Sequence, residues 1–162
     1  MRKIILSLLV FILLAASYLF YDFKTKKENF GYLNPKTEKK NSKILYPKDL
    51  DPKSFIALFT ENYNKDSKLN FVTMTGDFPY NWVKPNDVHY LISVMRSKEK
   101  CCGYMNTFSS FISSENGEVG GFAIIFLNSY ISKTKINMGL NCNPGTNIES
   151  VRKIEKWYQK NH

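Results

Sequence analysis

Residues 98–126 read KEKCCGYMNTFSSFISSENGEVGGFAIIF. Two adjacent cysteines, two Ser-Ser pairs and a Gly-Gly give way to an apolar run. The stretch decides the fold, because it is either a reactive site or the joint between two helices. A joint is the better fit. A helix exits at Lys98, a crossover runs from Cys101 to Asn116, and a buried helix follows through small residues. Val119, Phe122, Ala123, Phe126, Leu127, Tyr130 and Ile131 lie three and four apart, with Ile124 and Ile125 off that stripe. Such spacing predicts a helix apolar over most of its surface.

Three further helices are expected around this one. Asp51-Pro52 offers a cap and a first-turn proline, and Phe55, Ile56, Leu58, Phe59 and Tyr63 fall on one face behind it. Pro85 opens a second helix, with Asn86 and Asp87 in its first turn and Val88, Leu91, Ile92 and Met95 as its inner face. Thr146 and Glu149 fit a capping box ahead of Ile148, Val151, Ile154, Trp157 and Tyr158. Residues 69–74 alternate and suggest one short strand. The expected fold is therefore all-α. About four amphipathic helices form one small domain over residues 47–162, with at most one short strand pair.

The N-terminus reads differently. After Met1-Arg2-Lys3, residues 4–21 contain no charge, and Asp22 ends the run. A spanning helix needs roughly 17–25 apolar residues, so residues 1–22 read as a signal anchor, or as a signal peptide cleaved near Ala15-Ala16-Ser17. Lysines on both sides nearly balance the positive-inside rule. Export of the C-terminal part is expected because the segment stands first. That places the protein in the inner membrane as a single-pass chain, or in the periplasm or medium after cleavage. Residues 4–21 would be its contact with membrane lipid.

The formal net charge of +9 is unevenly spread. Residues 22–48 hold eight lysines against three carboxylates, which gives +5, whereas residues 49–162 carry only +2. Residues 23–46, rich in Lys and Asn with no apolar period, read as a basic flexible linker. A basic segment beside a membrane is attracted to anionic head groups. Nucleic acid is not expected as a partner: arginine, favoured for bidentate recognition of phosphate and guanine, occurs only three times.

Candidate sites are few. Cys101 or Cys102 could bridge Cys142 in an exported domain, closing a loop of about 40 residues worth roughly 3–4 kcal/mol. Buried free thiols are the alternative. Adjacent cysteines lack the spacing for one metal ion, so no metal is expected, and no small-molecule cofactor. Cys101 or Cys102 with His89 would make an envelope cysteine hydrolase. Two S-x-x-K strings, at Ser97 and Ser150, lack the companion motifs of acylating serine enzymes. Phe78, Tyr80 and Trp82 alternate through a turn and would point one way if extended. They are the candidate binding residues. The serines at 109, 110, 113 and 114 read as turn and cap residues.

The segments NWVKPNDVHYLISVMRSKEKC, SSFISSENGEVGGFAI and CNPGTNIESVRKIEKW resemble a group of small, uncharacterised bacterial envelope proteins, over residues 81–157. The resemblance implies a bacterial origin and an exported helical domain, and brings no site residues. The function expected is a non-enzymatic, membrane-tethered interaction module of the cell envelope that binds another envelope protein, an immunity-type protein being one version. The cysteine hydrolase is the alternative.

Overall fold

A computed structural model describes residues 44–161. The expectations for residues 1–22, and for all of the linker before Ile44, lie outside the described residues. Four α-helices are present: α1 (Pro52–Glu61), α2 (Pro85–Val94), α3 (Val119–Ser132) and α4 (Ile148–Asn161). Five short strands join them: β1 (Phe71–Met74), β2 (Lys100–Cys101), β3 (Gly103–Asn106), β4 (Gly117–Glu118) and β5 (Asn141–Cys142).

The fold is therefore mixed, and the expected all-α domain is corrected. One sheet has the order β1-β3-β5 and the other pairs β2 with β4. β1 and β3 run parallel, with Phe71 opposite Gly103 and Met74 opposite Asn106. Parallel strands need a crossover, usually a helix, and α2 supplies it. β5 returns antiparallel to β3, with Cys142 opposite Tyr104. The segment expected to be an irregular crossover is thus the centre of the sheet. Its backbone cannot remain unpaired beside a core. Cys102 N–H donates to Phe59 O and Gly103 N–H to Asn70 O, each at 2.9 Å, and Thr107 N–H donates to Met74 O at 3.0 Å.

Local chemistry sets the helix boundaries. The Asp51 carboxylate accepts from Ser54 N–H at 2.7 Å, with Pro52 in the first turn. The Asp87 carboxylate accepts from Lys84 N–H at 2.7 Å ahead of α2. α4 differs from the expected capping box: the Asn147 side chain accepts from Ser150 N–H at 2.8 Å. Thr146 is used elsewhere, its hydroxyl donating to Ser97 O at 2.7 Å.

α3 forms the middle of the core. Val119, Phe122, Ala123, Ile124, Phe126 and Leu127 are all buried on it. Phe55 stacks on Phe59 at 4.0 Å, Phe122 meets Phe59 edge-on at 5.2 Å, and Trp82 meets Phe126 edge-on at 4.9 Å. Close packing explains Gly120 and Gly121. A Cβ on Gly120 would stand 2.5 Å from Ser97 O and 2.6 Å from Met95 O, and one on Gly121 would run into the Pro144 backbone. Only glycine lets these chains approach so closely.

Candidate functional site

The surface feature with the clearest chemistry is the loop after β3. Residues 101–114 contain no charged side chain. In this loop Phe108 is 79% exposed and Phe111 67%, and Ile112 and Leu140 are exposed beside them. Leu140 belongs to the same end of the sheet, because its carbonyl accepts from Asn106 N–H at 2.8 Å.

Short-range hydrogen bonds hold the loop in shape. The Asn106 side chain accepts from Phe108 N–H at 2.9 Å. The Ser109 hydroxyl donates to Phe111 O at 2.8 Å, and the Asn141 amide donates to that hydroxyl at 2.7 Å. Glu115 N–H donates to the Ser113 hydroxyl at 3.1 Å. Serine hydroxyls commonly satisfy turn backbone this way. Here they leave the apolar side chains outside.

The described chain begins at this end as well. Leu45 O accepts from Thr75 N–H at 2.8 Å, alongside the end of β1. The Thr75 hydroxyl lies 3.3 Å from that of Thr107, directly before Phe108. Ile44, the first described residue, is exposed. Ile44, Phe108, Phe111, Ile112 and Leu140 thus gather at one end of the β1-β3-β5 sheet.

The expected aromatic trio is divided. Phe78 and Trp82 are core residues, 4.9 Å apart and edge to face. The Trp82 indole donates to Pro47 O at 2.8 Å. Tyr80 alone is exposed, and Asn81 beside it has a positive φ of 52° that breaks the extended alternation. The three rings share no surface.

Of the two states open to the cysteines, a bridge to Cys142 or free thiols, the structure has free thiols at all three. Cys101 and Cys102 are buried in the core. Burial pushes Cys101 up to about 12, with the neighbouring Cys102 adding to the shift, and pushes Cys102 up to about 11. Burial also raises the Cys142 thiol. A thiol held so far above neutrality stays protonated at neutral pH, whereas a nucleophilic cysteine acts as its thiolate. His89 is exposed on α2, and among the described residues no hydrogen bond joins it to either thiol.

One carboxylate is strongly perturbed for a structural reason. Glu118 accepts from the Lys100 ammonium at 2.8 Å across the β2–β4 pair and from Thr146 N–H at 2.7 Å. These bonds, the lysine first, bring its carboxyl down to about 2. The side chain ties the small sheet to the start of α4.

Among the described residues no three or more His, Cys, Asp or Glu side chains converge to hold a metal ion. An open cleft of about 540 Å³ lies between the start of α2 and the ends of α3 and α4, with Lys84, Tyr130, Lys133 and Trp157 among the residues that line it. Among the described residues no helix is long and apolar enough to cross a membrane.

The chain matches no family model, no curated protein and no solved structure. The likeness to bacterial envelope proteins therefore has no support beyond the residues that suggested it, and its helical domain is not the fold found.

Phe108, Phe111 and Ile112 were not singled out by sequence reasoning. The serines around them carry the turn signal, which masks the rings between. The usable sign was an uncharged run that includes three large apolar residues within a serine-rich turn.

Proposed function

We propose that the chain is a non-enzymatic docking module held at a bacterial envelope membrane by its N-terminal segment. Its working surface is the apolar end of the sheet. The observation that carries this proposal is the shaped, uncharged loop that displays Phe108, Phe111 and Ile112 to solvent. Exposed apolar clusters of this kind mark contact sites. The buried, high-pKa thiols and the exposed His89 weigh against the cysteine hydrolase. The N-terminal run of residues 4–21 supports the tether, with the body on the exported side or, after cleavage, released from it.

A photo-crosslinking amino acid at position 108 of the full chain, expressed in bacterial cells, tests this. Adducts, to lipid or to protein, should form from position 108 and be absent from position 66, which lies on the α1–β1 connection. Position 108 yielding no adduct above the level of position 66 would overturn the docking function.

A further inference from the structure

The described chain begins at the apolar end of the sheet, and the sequence leading up to that start is rich in lysine. Residues 36–49 hold Lys36, Lys39, Lys40, Lys43 and Lys48 against Glu38 and Asp49, a net of +3 around Ile44 and Leu45. Only 22 residues, 22–43, separate Tyr21 from Ile44, at most about 80 Å even fully drawn out. Any membrane that takes up residues 4–21 is therefore within reach of the end of the body where the tether joins it.

The exposed side chains there suit a lipid interface better than a protein socket. Phe108 and Phe111 stand out from the loop on a backbone fixed by Ser109 and Asn106. No charge lies between Cys101 and Ser114 to oppose entry into the head-group region. Apolar side chains beside a basic stretch are the combination that holds a protein to an anionic bilayer surface.

From these features we infer that Ile44, Phe108, Phe111, Ile112 and Leu140 form a second membrane contact, in which the β3–β4 loop inserts its apolar side chains into the interface of an anionic bilayer. This rests on the tethered docking function above and names the partner of the same surface. The body then lies against the membrane instead of hanging free of it, and its opposite end, at the α1–β1 connection, faces the aqueous phase.

Spin labels on the full chain test the inference. The chain carries Phe108→Cys or, separately, Phe111→Cys, each with Cys142→Ser, so that the thiols left are the buried Cys101 and Cys102. Asp66→Cys is the aqueous control. Each labelled chain is reconstituted at low density into phosphatidylethanolamine–phosphatidylglycerol vesicles, and collision with oxygen and with a water-soluble nickel chelate is measured. Labels at 108 and 111 should lose nickel collision several-fold relative to 66 while keeping oxygen collision. Labels as open to nickel as position 66 overturn the lipid contact, although the chain still floats with the vesicles and the tether stands. Labels shielded from both reagents mean that protein, from this chain or another, covers the face, and this also overturns it. Dipolar broadening between labels points to a second copy, with the same consequence. A chain that does not float with vesicles at all overturns the tether and the contact together.

Discussion

Phe126 and Phe108 are the same residue type, and one is completely buried while the other is 79% exposed. Phe126 rides on α3, where helical spacing sets it beside Phe122 and against Trp82 and Phe55. Phe108 sits where the backbone spends its hydrogen bonds on Asn106 and Ser109 and turns away from the core. Burying a phenylalanine is worth about 1.5–3 kcal/mol, so the loop forgoes several such contributions. Hydrophobicity alone does not decide burial here. The local hydrogen-bond pattern decides which way the ring faces, and the two regions divide the labour between stability and contact.

That division makes its largest prediction in the core. Phe126→Ala should cost about 3–5 kcal/mol, the range for a truncated buried aromatic, measured as a lower urea midpoint. Gly121→Ala tests the backbone contact instead of the side chains. A helix-interior alanine would ordinarily gain up to about 1 kcal/mol over glycine. Here the new methyl meets the Pro144 backbone, which cannot rotate aside, so overpacking of about 2–3 kcal/mol should win. A neutral or stabilising Gly121→Ala would show that the α3 seam is looser than described.

A smaller effect separates the sheets by pH. Glu118 falls from its usual 4.5 to about 2 in the folded protein, through the Lys100 bond first. A depressed folded value stabilises above the unfolded value and is lost as the carboxylate takes up its proton. Its contribution should therefore be complete above pH 4.5 and fade as pH falls toward 2. Glu118→Gln should flatten that part of the acid unfolding curve and leave its neutral part lower. Tyr80→Ala is the smallest change, within about 0.5 kcal/mol of the wild type, as for other exposed substitutions. Thermal unfolding would reveal a hidden packing role if its midpoint dropped clearly.

The helices were legible because caps and periods agree over ten or more residues. Asp51, Pro52 and Pro85 stand where the sequence puts them, and the α3 stripe is buried from Val119 to Leu127, with Tyr130 and Ile131 half-buried. The start of α4 shifted by one residue because Thr146 bonds to Ser97 and Glu118 across the fold, which a local capping rule does not see. β1 was legible in the alternation of residues 69–74, but the other four strands were not. They are two to four residues long, too short for a period of two to register. β3 is also the central strand and is paired on both edges, and its residues Gly103 and Tyr104 are both buried, so no apolar–polar alternation marks it. The aromatic turn divides at one residue, since the left-handed Asn81 separates exposed Tyr80 from buried Trp82.

The contrast between core and loop is tested most directly by one urea midpoint, that of the full chain in detergent with Phe108→Ser, Phe111→Ser and Ile112→Ser combined. Side chains that only face outward should leave the midpoint within about 0.5 kcal/mol of the wild type. A loss of several kcal/mol would place those rings in the core, and the surface assigned to docking would not exist.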